Sequence, residues 1–276
     1  MNRPMLLAQQ GWYPADNVNC YRQILKYIDQ DIYIEGFSPV AAIVPHSGWQ
    51  FCGRLMINTI RLLREKNGRI DRIFVFGGHL LHINIPLLET YQAAETPFGL
   101  LPCDTEVQQY MMEHFNVQPA ELHRDSTIEI LLPIIKYFFD DVPIIPFYLP
   151  PTTHHAPLVE ELYHRFGKRS LFIGSTDLTH YGANYNFYYK KSDMTPLTWT
   201  RDVLEKPYLK MIKELRAEES VEYAVKTDCA CSPGSAFGAM VAARCAGATK
   251  GLQIGYCSSY DIQPGDSFVN YASFVF

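Results

Sequence analysis

The chain has 276 residues, of which 47% are hydrophobic and 13% aromatic, as expected for a globular protein with a substantial core. This aromatic content excludes a largely disordered chain, because disordered chains lack the apolar side chains needed to form a core. The formal net charge of −5 argues against a nucleic-acid-binding protein, since nucleic-acid-binding surfaces are strongly basic.

The sequence contains no recognisable targeting or membrane segment. Its N-terminal residues lack the apolar stretch of a signal peptide, and no run of about 18 apolar residues predicts a transmembrane helix. The seven cysteines are scattered along the chain, without the tight spacing of a disulfide framework. We therefore expect a cytoplasmic protein with reduced thiols and no membrane association.

Apolar runs of strand length alternate with segments of helical periodicity along most of the chain. Pro133 should delay or kink one helix, and Asp104 should cap the start of another. The predicted elements, in chain order, are a strand at 40–44, a helix at 53–66, a strand at 72–76, helices at 104–115 and 126–139, a strand at 142–149, a helix at 157–166, a strand at 171–174, helices at 202–217 and 235–246, and strands at 252–260 and 267–276.

This alternation predicts the α/β class, with a three-layer α/β/α architecture around a mixed central sheet. The predicted strands are apolar throughout, as expected for strands that helices cover on both faces. No linker rich in proline, glycine or serine interrupts the sequence, so we expect a single domain over residues 1–276. Residues 195–219 could form a helical insertion in this domain.

Three of the predicted strands run into polar segments that contain histidine. His46 follows the first strand, His79 follows the second, and His180 follows the strand at 171–174. Because ligands bind outside the carboxyl ends of parallel strands, we expect the three histidines to converge at one edge of the sheet. Each histidine alone could equally be hydrogen-bonded within a turn, but three at strand ends favour a shared site.

A histidine cluster suits both metal binding and proton transfer, because imidazole is the commonest metal ligand and titrates near neutral pH. Two histidines and one anionic ligand hold iron, zinc or copper and leave positions open for a substrate. Asp177 lies near His180 in the sequence and could orient a ring or act as a ligand. Cys229 and Cys231 precede an apparent helix start, which lowers a thiol pKa, although two cysteines at this spacing are a weak metal signal. Two ordinary reduced thiols are the alternative.

Six short motifs lie along almost the whole chain. They are Gly11-Trp12-Tyr13-Pro14, Val44-Pro45-His46-Ser47-Gly48-Trp49, Gly77-Gly78-His79, Glu95-Thr96-Pro97-Phe98-Gly99, Ser175-Thr176-Asp177-Leu178-Thr179-His180-Tyr181-Gly182, and Ser259-Tyr260-Asp261 followed by Gly265-Asp266 and Val269-Asn270-Tyr271. Together they resemble the motifs of the Memo family, also called the AmmeMemoRadiSam system protein B family, and six motifs in the family order argue against a chance match.

The Memo family is similar in fold to the LigB-like class III extradiol dioxygenases, so the resemblance implies a LigB-like and Memo-like α/β/α fold. It also implies a metal-type cleft, for which iron is expected first and copper or zinc are alternatives. The residues implied for this cleft are His46, His79 and Cys231 as metal ligands, and His180 and Asp177 as catalytic residues. We expect Trp49 and His82, which lie near these residues in the sequence, to contact the substrate.

The chain departs from the family pattern in two segments. Ser126 occupies the position of a family histidine, and His123 lies a short distance upstream. The motif around Cys231 keeps neither its glycine nor its final proline and hydrophobic residue, which leaves Cys229 as an alternative ligand. These differences could weaken the metal site or alter its reaction.

The resemblance implies a metal-dependent oxidoreductase or dioxygenase-like enzyme that acts on a small molecule. A second hypothesis is a non-catalytic protein that binds a phosphopeptide or a small anion in the same cleft, since some Memo relatives are associated with phosphotyrosine-type peptides. A third is a role in a modification system, because genes of this family are commonly found beside those for a radical-SAM protein and an AMMECR1-like protein.

Overall fold

The computed structural model describes residues 1–79, 83–120, 125–188 and 193–276. Within these ranges the α-helices are α1 (Asn17–Tyr27), α2 (Trp49–Lys66), α3 (Thr105–His114), α4 (Ser126–Glu129), α5 (Leu132–Phe139), α6 (Ala156–Phe166), α7 (Pro196–Trp199), α8 (Lys206–Lys213), α9 (Ala217–Thr227) and α10 (Pro233–Cys245). The strands are β1 (Asn2–Arg3), β2 (Ala41–Val44), β3 (Arg72–Gly77), β4 (Leu87–Glu89), β5 (Ala93–Thr96), β6 (Gly99–Pro102), β7 (Gln118–Ala120), β8 (Ile144–Tyr148), β9 (Ser170–Ser175), β10 (His180–Tyr181), β11 (Leu252–Ser258) and β12 (Phe268–Val275). None of the helices within the described ranges is long and apolar enough to cross a membrane.

The central sheet combines parallel and antiparallel strand pairs. Strands β2, β9, β3 and β8 lie side by side in this order and are all parallel. The C-terminal strand β12 is antiparallel to β2 and also pairs with β10 and β11, while β4 adds an antiparallel partner beyond β8. Strands β1, β5 and β6 form a separate small sheet. The predicted mixed sheet is therefore confirmed, and β12 lies inside it.

Side chains of the central strands alternate between two hydrophobic cores, one on each face of the sheet. In β3, Ile73 and Val75 belong to the core formed with α1, α2, α4 and α5. Phe74 and Phe76 belong to the opposite core, formed with α3, α6, α8, α9 and α10. Burial on both faces explains why this strand is apolar at successive positions. The protein thus has the predicted three-layer α/β/α architecture.

The helices predicted at 126–139 and 202–217 differ from the observed ones. The first is divided into α4 and α5, and Pro133 lies in the first turn of α5, where a missing backbone N–H is tolerated. In place of the second, a π-helical segment at Thr200–Glu205 leads into α8 and then α9. π-Helical turns are rare and often occur near functional sites.

Candidate metal centre

Parallel strands bring several functional side chains to the same edge of the sheet. β2 and β3 both pair in parallel with β9, so the carboxyl ends of the three strands lie together. His46 follows β2, His79 follows β3, and Asp177 follows β9. The structure therefore brings His46 and His79 together at the strand ends, as the sequence predicts.

His46, His79 and Cys231 form a compact group of potential ligand atoms, called the ligand cluster below. Nε2 of His46 is 3.1 Å from Nε2 of His79 and 3.2 Å from Sγ of Cys231, and all three atoms lie within 4.8 Å of one another. The side chain of His46 is 2% exposed and that of His79 is 40% exposed, so the cluster is reached from the His79 side. Two imidazoles and one thiolate are typical ligands of zinc, copper and iron.

The spacing of these atoms fits a bound metal ion. A tetrahedral ion with nitrogen at about 2.0 Å and sulfur at about 2.3 Å holds two nitrogens about 3.3 Å apart, and nitrogen and sulfur about 3.5 Å apart. The corresponding distances of 3.1 Å and 3.2 Å are only slightly shorter. Small movements of the side chains would therefore accommodate an ion.

The position of α10 determines which cysteine reaches the histidines. The start of this helix packs closely on β9, because Gly174 has no side chain and a Cβ there would overlap the carbonyl oxygen of Ser235. Cys231, just before the helix, contacts His46. Cys229 is fully buried outside the ligand cluster, and burial raises the pKa of its thiol to about 12. Of the two cysteines that the sequence leaves open, the structure favours Cys231.

Hydrogen bonds orient the rings of both histidines in the ligand cluster. Nδ1 of His46 lies 3.1 Å from Oγ of Ser175, and Nδ1 of His79 lies 3.2 Å from a carboxylate oxygen of Asp125. Asp125 also caps α4 by accepting a hydrogen bond from the N–H of Thr127. With their Nδ1 atoms engaged, the imidazoles present Nε2 to the centre of the cluster, as metal-binding histidines commonly do.

Opposite charges change the pKa of several groups in and around the ligand cluster. Burial opposes ionisation of Cys231, but neighbouring His46, His180 and His79 lower its thiol pKa well below the ordinary value. Burial lowers the pKa of His79, yet Asp125 and Cys231 outweigh this effect and raise it to about 11. Although burial raises the pKa of Asp125, the contact with His79 lowers it to about 2. These interactions favour the thiolate form of Cys231 and the protonated forms of His79 and His180.

Asp177 and His180 lie beside the ligand cluster. The carboxylate of Asp177 accepts hydrogen bonds from the backbone N–H of His46 at 2.7 Å and from the hydroxyl of Ser47 at 2.9 Å. Nε2 of His180 is buried 3.8 Å from this carboxylate and has no hydrogen-bond partner among the described residues. Burial lowers the pKa of His180, but Asp177 and Cys231 raise it to about 10. An unpartnered nitrogen here is suited to proton transfer or to ligand binding.

A cavity of 370 Å³ gives access to these side chains and is called the smaller cavity below. Its wall includes His79, His180 and Cys231, together with Tyr185 and Phe187. The ring of Tyr185 lies 4.9 Å from the ring of His180, measured between their centroids. A small molecule in this cavity would therefore meet the ligand cluster and an aromatic wall together.

A buried carboxylate that sequence reasoning missed accepts a hydrogen bond from the backbone next to His180. Glu205 ends the π-helical segment and accepts hydrogen bonds from the N–H of Thr179 at 3.2 Å and the hydroxyl of Tyr256 at 2.7 Å. The side-chain amide of Asn270 donates a third, at 2.9 Å. Burial raises the pKa of Glu205. Glu205 follows no strand and belongs to none of the quoted motifs, so the sequence offered no signal for it.

Other residues predicted from the sequence lie elsewhere. Trp49 is 1% exposed, and its indole N–H donates to the carbonyl of Ile130, because the first turn of α2 directs the ring into the core. The structure thus does not bring Trp49 to the cleft as a substrate contact. His82 and His123 fall outside the described residues. Ser126, which occupies the family histidine position, begins α4.

Comparisons with known proteins identify related chains and folds. A sequence model of a family described as "Memo-like protein" matches residues 3–275. MEMO1 family proteins from Thermococcus onnurineus and Pyrococcus furiosus are each 25% identical; the first match covers 96% of both chains, and the second covers 100% of this chain and 99% of the relative. A solved structure, the uncharacterized protein JW3007 from Escherichia coli K12, matches with a TM-score of 0.53 at 12% identity, over 84% of this chain and 98% of that one. This structural likeness supports the fold alone.

Proposed function

The chain belongs to the Memo-like protein family, and from this premise we propose that it is a metal-dependent oxidoreductase with a dioxygenase-like site. The proposed metal ligands are Nε2 of His46, Nε2 of His79 and Sγ of Cys231. The observation that carries the proposal is the convergence of these atoms within 4.8 Å of one another, with His79 and Cys231 lining an accessible cavity.

The ligand atoms suit a redox-active metal. When bound, iron or copper would supply redox chemistry and coordination positions open to a small substrate. Iron is the first candidate, and copper is the second because a thiolate favours softer metals. Zinc would accept the same ligands but has no redox chemistry, so the identity of the metal tests the class of reaction.

His180 and Asp177 are the proposed proton-handling residues. Nε2 of His180 is buried without a hydrogen-bond partner among the described residues and lies on the wall of the smaller cavity. Because its pKa is raised to about 10, the ring would be protonated at neutral pH and would first donate a proton to the bound substrate or product. The resulting neutral ring would then accept a proton from a substrate hydroxyl. Asp177, with its carboxylate 3.8 Å away, would stabilise the protonated ring and hold the backbone of His46 in place.

The first test is the metal content of untagged protein purified without oxygen, measured by inductively coupled plasma mass spectrometry. The parent should carry about one equivalent of iron or copper, since the ligand cluster can hold one ion. His46→Ala and His79→Ala should each lose it. His114→Ala is the matched control, because His114 is exposed at the end of α3 and should leave the metal content unchanged.

Two outcomes would contradict the proposed function. Stoichiometric metal in the double variant of His46 and His79 would mean that the ion binds elsewhere. A parent that takes up no iron or copper on anaerobic reconstitution would exclude a redox centre in this cluster. If metal binds, oxygen consumption with phenolic substrates, and its loss in His180→Ala at unchanged metal content, tests the proposed proton transfer.

The alternative is a non-catalytic protein that binds a phosphopeptide or a small anion in the same cleft. The raised pKa values of His79 and His180, about 11 and about 10, favour positive charge on their rings. That charge is already matched by Asp125, Asp177 and Cys231, which weakens the case for an anion. Calorimetric titration of the metal-free protein with phosphotyrosine distinguishes the two functions, because only the alternative predicts binding without a metal.

A further inference from the structure

A second cavity, of 730 Å³, adjoins the ligand cluster and is called the larger cavity below. One wall is formed by the start of α2 with the preceding residues Ser47 and Gly48, and by residues 10–12. Residues 183–185 and 263–267 also line the cavity, together with Ser259, Val269 and Tyr271. Its volume lies within the range of about 300–1,000 Å³ that is typical of small-molecule sites.

Close packing and backbone hydrogen bonds hold the segments that line the larger cavity in place. Gly182 adopts a φ of +103°, and a Cβ at this position would overlap the carbonyl oxygen of Asp266, so the two segments of the wall pack tightly. The N–H of Asn184 donates to the hydroxyl of Ser267 at 3.2 Å. The N–H of Trp49 donates to the carbonyl of Trp12 at 2.8 Å. Hydrogen bonds therefore fix the backbone of several segments that line the cavity.

The lining of the larger cavity is polar but lacks positive charge. It combines side-chain amides, hydroxyls and aromatic rings, including those of Gln50, Asn184, Gln263, Ser259, Trp12 and Tyr185. Among the described residues of the lining, Asp266 is the charged one, and no lysine, arginine or histidine occurs. An anionic ligand would meet no cationic side chain among the described residues of the lining, and the carboxylate of Asp266 would oppose the weak attraction of the α2 N-terminus at Gly48.

This lining matches a neutral compound that carries several hydroxyl groups on a ring. Hydroxyls donate and accept hydrogen bonds, and side-chain amides present both a donor and an acceptor to meet them. Aromatic side chains such as Trp12 and Phe51 offer flat apolar faces against which a ring can pack. We propose that the larger cavity is a binding site for a neutral polyhydroxylated ring compound.

Two residues connect the larger cavity to the ligand cluster. Ser47 lines the cavity and donates its hydroxyl to Asp177, which in turn lies 3.9 Å from Nε2 of His46. Tyr185 lines both cavities and packs against His180. A ligand in the larger cavity that reached past Tyr185 would meet His180. The inference that this ligand reaches the metal centre rests on the proposed function. It makes the polyhydroxylated compound the substrate of that centre.

Binding is tested by saturation-transfer difference NMR with myo-inositol and methyl glucoside as neutral probes, and with methyl phosphate and phosphotyrosine as anionic probes. The neutral probes should receive saturation from the parent. Gln50→Trp should weaken this transfer at least tenfold, because Gln50 is an exposed residue of the cavity wall and indole would fill the space. Gln109→Trp is the matched control, since Gln109 is an exposed glutamine on α3 outside this wall.

The anionic probes give the outcomes that would overturn the proposal. Saturation of methyl phosphate or phosphotyrosine that Gln50→Trp abolishes would assign the larger cavity to an anion. No saturation of either neutral probe by a folded parent, or equal saturation in the parent and in Gln50→Trp, would exclude the polyhydroxylated ligand. The folded state of each variant is checked by its thermal unfolding midpoint.

A cobalt(II) spectrum separates this inference from the proposed metal function. In the cobalt-loaded parent, myo-inositol should shift the visible absorption bands of the ion, and it should not do so in Gln50→Trp carrying the same amount of cobalt. Neutral probes that bind to a protein unable to hold any metal would refute the proposed function and leave the cavity assignment intact. Normal metal binding without any response to neutral probes would refute the cavity assignment alone.

Discussion

Two buried clusters of charged side chains differ in how completely their members are paired. In the first, called the Arg3 cluster, Arg3 contacts Glu89 at 3.0 Å and Glu129 at 2.9 Å, and all three side chains are buried. The hydroxyl of Tyr148 donates to Glu89, and that of Tyr13 donates to Glu129. Each carboxylate thus has a cation and a hydroxyl donor as partners.

The ligand cluster contains comparable charges but is open at one side. Cys231 and His79 line the smaller cavity, and Nε2 of nearby His180 has no hydrogen-bond partner among the described residues. Fully paired buried charges favour one arrangement of the chain. Removing one partner leaves the other charge buried and uncompensated in a low-dielectric interior, which destabilises the folded state. Buried groups with unused hydrogen-bonding or ligand capacity beside a cavity can instead act on a molecule that enters it. The comparison therefore assigns stability to the Arg3 cluster and chemistry to the ligand cluster.

The largest expected effect is on the Arg3 cluster. Arg3→Met leaves Glu89 and Glu129 buried without a cation and should lower the free energy of unfolding by about 3–5 kcal/mol. The measurement is urea unfolding followed by circular dichroism. Arg54→Met is the matched control, because solvent screens the exposed Arg54–Asp29 pair and its loss should change the stability little. Equal losses in the two variants would contradict the structural role of Arg3.

The next effect concerns the residue that orients His79. Asp125→Asn removes the carboxylate charge beside Nδ1 of His79 and should weaken metal binding by about 10- to 100-fold, measured by competition with a chelator. Asp16→Asn is the matched control. Asp16 caps α1 as Asp125 caps α4, but its carboxylate accepts hydrogen bonds from Asn19, whereas that of Asp125 contacts His79 of the ligand cluster. An Asp125→Asn variant with parental affinity would show that the contact does not position the ligand.

Metal binding should strengthen as the pH rises. The pKa of His79 is raised to about 11 and that of His46 is also raised in the metal-free protein, so a metal must displace protons from both rings. Affinity should increase by up to about tenfold per pH unit for each proton released. The raised pKa of His79 also stabilises the metal-free fold below pH 6.5, and this stability is lost as the pH rises towards about 11. Calorimetry in buffers of different ionisation enthalpy measures the protons released, and a pH-independent affinity would contradict the prediction.

The smallest expected effect tests the support behind His180. Glu205→Gln keeps the shape of the side chain but places an amide donor among three hydrogen-bond donors, which should cost about 1 kcal/mol of stability. Because Glu205 holds the N–H of Thr179, the histidine NMR titration of His180 should change while that of exposed His114 does not. An unchanged titration of His180 would make the role of Glu205 purely structural.

The sequence predicted those features that depend on local patterns. Apolar runs predicted the strands that carry His46 and His79, since strands buried on both faces are apolar at every position. Asp104 was correctly identified as a helix cap, because its side chain accepts from the N–H of Val107. The structure buries Trp49 in the core, and proximity to His46 in the sequence does not reveal which face of α2 is buried.

By itself, the sequence determined the three-layer class and the placement of histidines at strand ends, because periodicity and turn residues act over a few neighbouring positions. Only the tertiary structure decided which of Cys229 and Cys231 lies beside the histidines. It also placed Glu205 against the backbone of Thr179, next to His180, and formed the two cavities. These features depend on the order of strands in the sheet and on close packing such as that between β9 and α10. Residues distant in sequence meet through such packing, and distances of a few ångströms between them are not encoded in any local pattern.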